Sequence, residues 1–141
     1  MKRAKELHPL SHDHHRALYA ALLLSRAEEV EPARTEALAF WHEMGLDHLA
    51  IEEGSLLPGW ISRDPDQDRG LALRVLREHL ELRVGFRALE NGPESIEEMN
   101  KLGRDLESHV RFEERELFPA IESRLGADAL ADLGAEIAEA R

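Results

Sequence analysis

An eleven-residue stretch occurs twice in the chain, and it constrains the fold more than any other feature. His48 to Pro58 reads H-L-A-I-E-E-G-S-L-L-P, and His109 to Pro119, 61 residues later, reads H-V-R-F-E-E-R-E-L-F-P. Histidine, two glutamates, a leucine and the proline recur at identical spacing, and Ile51 pairs with Phe112. A duplicated motif predicts a duplicated structural unit. His48/Glu52 and His109/Glu113 are four residues apart, so on a helix each pair shares one face. Glu53 and Glu114 follow by one residue and point largely to the other side. Two helices that each set an imidazole beside a carboxylate are what a metal centre built between helices requires.

The rest of the chain is patterned for helices, and nothing in it suggests a strand. Helix 1 is expected over about 12–29, after Pro9 and with Ser11 as N-cap, carrying Leu18, Ala21 and Leu22 on one stripe. Proline at Val30-Glu31-Pro32 marks a break. Helix 2 follows over about 33–56, with Leu38, Trp41, Gly45, His48, Glu52 and Leu56 inward, and Pro58-Gly59 ends it or bends it sharply. Helix 3 is expected over about 67–90 with Leu73, Leu76, His79, Leu80, Val84, Phe86 and Leu89 inside, stopped by Asn91-Gly92-Pro93. Ser95 to Glu98 fits a capping box opening helix 4, whose inner stripe is Met99, Leu102, Leu106, His109, Glu113 and Leu117 and which Pro119 should kink. Ala127 to Ala140 is patterned as a short amphipathic helix. The expected fold class is all-α: an antiparallel up-down-up-down four-helix bundle with a short C-terminal fifth helix, in one domain over residues 1–141.

Charge and composition remove whole classes of function. The net charge of −11 opposes a phosphate-tracking surface, so no nucleic-acid partner is expected. The chain has no cysteine, which excludes disulfides, thiolate zinc sites and cysteine-ligated clusters. No apolar run approaches the roughly 20 residues of a membrane span. The N-terminal residues lack the apolar segment of a signal peptide. No membrane partner is expected, and the expected location is cytoplasmic.

If helices 2 and 4 each supply His and Glu, helices 1 and 3 should supply matching ligands. Helix 3 has one histidine, His79, preceded by Glu78; helix 1 has His12, His14 and His15. Asp13-His14 corresponds to Glu78-His79, and His14 shares a face with Leu18, Ala21 and Leu22, so His14 is preferred. His15 is the main competitor, and His12 shares its stripe with Arg16. The spacings 14 to 48 (34 residues) and 79 to 109 (30 residues) agree within a loop's tolerance. The expected metal ligands are His14, His48, Glu52, His79, His109 and Glu113. Buried without a metal, four imidazoles and two carboxylates would leave costly unpaired groups. Two ions sharing both glutamates, with an oxo or hydroxo bridge, would each keep one open position. Such N/O sites suit iron, then manganese; zinc prefers tetrahedral sites. Two Fe(III), two carboxylates and an oxo leave a charge of +2, tolerable in a protein of net charge −11. Asp13, Glu53, Glu78 and Glu114 are read as solvated or as orienters of the ligands, His8 and His42 as surface residues, Trp41 and Leu102 as core or pocket lining. Tyr19 is a candidate hydrogen-bond donor near the metals.

The D-H near the start, H-x-x-x-E-E-x-x-x-L-P, E-H and H-x-x-x-E-E-x-x-L-F-P resemble the hemerythrin-like (HHE cation-binding) family over about residues 8–122. The resemblance implies a four-helix bundle around a non-haem di-iron centre, a small diatomic ligand (O2 or NO), and a role in sensing or answering oxygen, redox or nitrosative change. Oxygen-carrying hemerythrins have His-x-x-x-His on the third helix; here His79 is followed at the second position by Arg83. The set of four histidines and two glutamates is more similar to di-iron proteins linked to iron–sulfur-cluster repair, which usually add an N-terminal cysteine-bearing domain that this chain lacks. Three readings follow: a binding or sensing protein, a di-iron enzyme that reduces O2, NO or peroxide or supplies iron for repair, and a metal-stapled structural bundle. Open-position Glu/His sites favour the first two.

Overall fold

Leu7 and Leu10 are fully buried, and their burial draws helix formation further toward the N-terminus than the Ser11 signal suggests. In the computed structural model, which describes residues 2–93 and 95–141, α1 runs His8–Ser25 with Pro9 in its first turn, where a missing N–H leaves no bond unmade. Ser11 therefore lies inside the helix and does not cap it. Its hydroxyl donates instead to Glu114 at 2.8 and 3.0 Å.

The second helix, α2, is continuous over residues 33–63: Ala33–Phe40, a π turn Trp41–Gly45, Leu46–Ile51, a second π turn Glu52–Leu56, and Leu57–Arg63. After α3, Gly70–Glu90, comes α4 over residues 96–124, made of Ile96–Phe112, a π turn Glu113–Leu117 and Phe118–Arg124. The helix end expected as one outcome at Pro58 does not occur, since α2 continues to Arg63, and α4 runs on past Pro119 to Arg124. A proline ring collides with the carbonyl four residues back and donates no bond. A wider i→i−5 turn just ahead of each proline accommodates it: Leu57 N–H reaches the Glu52 carbonyl, and Phe118 N–H that of Glu113. The sequence repeat is thus also a backbone repeat, each π turn opening at the motif's first glutamate. The start of α4 is capped as its sequence implies, Ser95 Oγ accepting from Glu98 N–H at 3.1 Å. The last helix, α5, covers Ala127–Ala140. The described residues contain no strand, so the protein is an all-helical bundle.

The inward face of α3 differs from the expected one. Leu73, Leu80 and Val84 are 62, 63 and 62 % exposed and Leu76 is also exposed, whereas Ala72, Val75, His79, Leu82, Phe86 and Leu89 are buried. This helix carries two apolar stripes, and periodicity does not say which turns inward. The stripe that contains His79 does.

Two apolar clusters fill the interior. One holds Ala21, Leu24, Phe40, Trp41, Phe86, Met99 and Leu106; the other holds Leu10, Leu56, Trp60, Val75, Phe118, Ile121, Leu133 and Ile137. The buried polar residues fall between them: His14 lies between Leu10 and Ala17 on α1, and His79 between Val75 and Leu82 on α3. Along one side α1 and α4 approach so closely that a Cβ on Gly103 would sit 2.6 Å from the Ala21 carbonyl and collide with Ser25 N. Leu133 and Ile137 of α5, both fully buried, close the second cluster.

Candidate metal centre

His14, His48, Glu52, His79, His109 and Glu113, one or two from each of α1 to α4, meet in the polar layer, and both glutamates are fully buried. Their atoms form two overlapping groups that could each hold a metal ion: His14, His48, Glu52 and Glu113, and Glu52, His79, His109 and Glu113. Each carboxylate is divided between the groups. Glu52 Oε2 lies 3.3 Å from His48 Nε2 while its Oε1 lies 3.0 Å from His79 Nε2. Glu113 Oε1 lies 2.9 Å from His14 Nε2 while its Oε2 lies 3.0 Å from His109 Nε2. The imidazoles pair accordingly, with ring centroids 5.1 Å apart for His14 and His48 and 4.9 Å for His79 and His109.

The outward nitrogen of every ring is held by an acid from a neighbouring helix. His48 Nδ1–H donates to Asp13 at 2.9 Å, His79 to Glu53 at 2.7 Å, His109 to Glu78 at 2.8 Å and His14 to Glu114 at 2.6 Å. Each acid adjoins a residue of the inner set in the chain, so the bonds run in a closed ring: α1 to α2, α2 to α3, α3 to α4, α4 to α1. An arginine backs each acid: Arg141 on Asp13 (2.8 and 3.1 Å), Arg83 on Glu53 (3.2 Å), Arg74 on Glu78 (2.9 Å) and Arg3 on Glu114 (3.4 Å). Arg83, which stands where a fifth histidine would be, therefore supports the acid that holds His79.

Because an ionised carboxylate only accepts, these bonds place the proton on Nδ1 and turn each Nε2 lone pair inward. Lone pairs then face carboxylate oxygens across about 3 Å. Among the described residues, six buried atoms here have no hydrogen-bond partner: Nε2 of His48, His79 and His109, both oxygens of Glu52, and Oε2 of Glu113. Lone pairs gathered in this way are satisfied by positive charge at the centre. In the metal-free chain, protons supply it. Burial works against charging His48, but Glu52 and Asp13 outweigh it and lift its pKa to about 10. Against the same burial, Glu113 and Glu52 lift His79 to about 9, and Glu113 and Glu78 lift His109 to about 10. Glu113, despite complete burial, is held well below the usual carboxylate range by His109, His14 and His79. Mixed nitrogen and oxygen donors in two groups, with a preset tautomer, fit a pair of first-row transition-metal ions.

The alternatives on α1 lie elsewhere: His12 and His15 are exposed. His42 is exposed and pairs with Glu90 at 2.8 Å, and His8 caps the Arg3 carbonyl at 2.9 Å. Tyr19 is 57 % exposed and does not line the site. Trp41 does: with Phe40, Met44, Leu106 and Val110 it walls a small cavity of about 20 Å³ that reaches His14, His48 and His109. What the sequence reading missed is the arginine layer. Arg74 four residues before Glu78 was a visible helix pair; Arg3 and Arg141 come from distant parts of the chain and carry no such signal.

The model of the hemerythrin HHE cation-binding domain matches residues 8–133, a span that includes all six inner residues and extends into α5. No curated protein and no solved structure matches the chain significantly. With the match covering most of the chain and a buried His/Glu cluster that fits a two-metal site, the protein belongs to the hemerythrin HHE cation-binding domain family.

Proposed function

We propose that this protein is a non-haem di-iron member of its family that binds O2 or NO in oxygen, redox or nitrosative-stress sensing or response. His14, His48, Glu52, His79, His109 and Glu113 are its ligands, in one domain whose four long helices run alternately up and down. The observation that carries the reading is the division of Glu52 and Glu113, each with one oxygen toward each histidine pair. That is the disposition of two bridging carboxylates. Two iron ions held there would supply open coordination positions and one-electron chemistry; manganese suits the same donors next.

The chain's own residues do the rest. Asp13, Glu53, Glu78 and Glu114 hold the imidazoles so that their lone pairs point inward. Phe118 stacks on His14 with centroids 5.6 Å apart and fixes its ring plane. The apolar cavity of about 20 Å³ admits about one water-sized molecule. That size favours a diatomic ligand over a larger substrate, and Trp41, Phe40 and Leu106 give the cavity apolar walls. With Arg83 in place of a fifth histidine, a bound di-iron pair would have one protein ligand fewer, which supports ligand response over reversible O2 carriage.

Metal analysis with an optical spectrum of anaerobically reconstituted protein, before and after air, tests the reading. Two irons per chain, with near-ultraviolet charge-transfer bands growing in air, are expected. No iron, or one tightly held zinc, would refute it. A stable reversible adduct is expected with NO or O2; sustained turnover with a reductant would move the assignment to a redox enzyme.

A further inference from the structure

The outward face of α1 carries a second set of imidazoles. His8, His12 and His15 fall at i, i+4 and i+7, one stripe of the helix, and all three are exposed. With Ser11 and Arg141 they line an open hollow of about 420 Å³. His12 and His15 stand edge to face, with centroids 5.4 Å apart and planes at 72°. The two buried pairs show nearly the same geometry, 5.1 Å at 54° and 4.9 Å at 67°. Metal–nitrogen bonds of about 2.0–2.1 Å with a near-tetrahedral angle place two imidazoles of one ion roughly 5 Å apart, centroid to centroid. Neither His12 nor His15 makes a hydrogen bond or ion pair to the described residues, so their ring nitrogens are available. Arg141, which also lines the hollow, is paired with Asp13 by two hydrogen bonds.

We propose that His12 and His15 form a surface site for a late divalent transition-metal ion, separate from the buried pair. The donors here are nitrogen alone, without carboxylate, and water completes the shell. Imidazole-only sites take Cu(II), Ni(II) and Zn(II) ahead of Mn(II), Fe(II) or the oxygen-seeking Mg(II) and Ca(II). The site faces solvent and holds its ion by two protein ligands, so the ion exchanges freely with competing imidazole. The protein then carries one more divalent ion than its core accounts for.

The probe is Ni(II), with untagged full-length protein whose core has been filled first. Wild type should be retained on immobilised Ni(II) and released by imidazole, and in solution should bind one Ni(II) more than the His12→Ala/His15→Ala variant. That variant should pass through the column, with an unchanged circular dichroism spectrum and unchanged core metal. His42→Ala, which removes an exposed histidine elsewhere, should be retained like wild type. Equal retention or equal Ni(II) binding of wild type and the double variant would overturn the proposal. So would loss of core metal from the double variant, since the two sites would then not be separate.

Discussion

At the scale of single residues, the centre depends on one hydrogen bond per imidazole. An Nδ1–H donated to a carboxylate decides which lone pair faces inward, and the ring of Asp13, Glu53, Glu78 and Glu114 makes that decision four times. Replacing an inner donor should differ from replacing its holder. His109→Ala or Glu113→Ala should abolish stoichiometric metal, whereas His42→Ala should leave it intact by elemental analysis. Asp13→Ala or Glu53→Ala should keep the stoichiometry but weaken affinity by about 10–100-fold, read by chelator competition. The pH response follows from the same contacts. His48, His79 and His109 are raised from 6.5 to about 10, 9 and 10, so the stability they contribute is complete below pH 6.5 and is lost as pH rises through 9 to 10. Glu113 is depressed from 4.5, so its contribution is complete above pH 4.5 and is lost on acidification. Urea midpoints of metal-free protein should therefore peak between about pH 5 and 6.5. Metal affinity should run the other way across the alkaline limb, because uptake must displace protons from the ring nitrogens. A flat urea profile would contradict the charge balance described for the centre. The six inner residues were legible because helical spacing and the repeat left few alternatives. The choice of His14 over His15 and His12 rested on stripe membership, and the structure buries that one of the three.

At the scale of elements, the prolines were legible but their effect was not. Local rules equate an interior proline with an end or a kink; α2 and α4 both continue through theirs, with a π turn in the same register just ahead of each. Likewise α3 has two apolar stripes of similar strength, and only its neighbours select the one with Val75, His79 and Leu82. Helix approach decides the effect of glycine replacements. Gly103→Ala should destabilise by about 1–3 kcal/mol, because its Cβ meets the backbone of α1 at Ala21 and Ser25. Gly54→Ala meets nothing within 4 Å and should instead stabilise by about 0.5–1 kcal/mol through helix propensity. Chemical denaturation of the two variants, measured side by side, tests the sign of each.

At the scale of the whole molecule, α5 is more than an appendage. Its Leu133 and Ile137 are fully buried in the second apolar cluster, and Arg63 ties its Glu136 to α2 at 2.6 Å. Leu133→Ala should cost about 2–5 kcal/mol and lower the thermal midpoint in the metal-free and loaded protein alike, by calorimetry. The sequence by itself determined the helical class and the internal duplication, and it singled out the six residues that meet at the centre with His14 preferred among three histidines, because those follow from spacing along one helix at a time. Tertiary structure alone decided which face of α3 is buried and which oxygen of each glutamate serves which histidine pair. It also decided that Arg141, Arg83 and Arg3 stand behind Asp13, Glu53 and Glu114. Those outcomes depend on how helices distant in the chain are packed together, and no local periodicity encodes that distance.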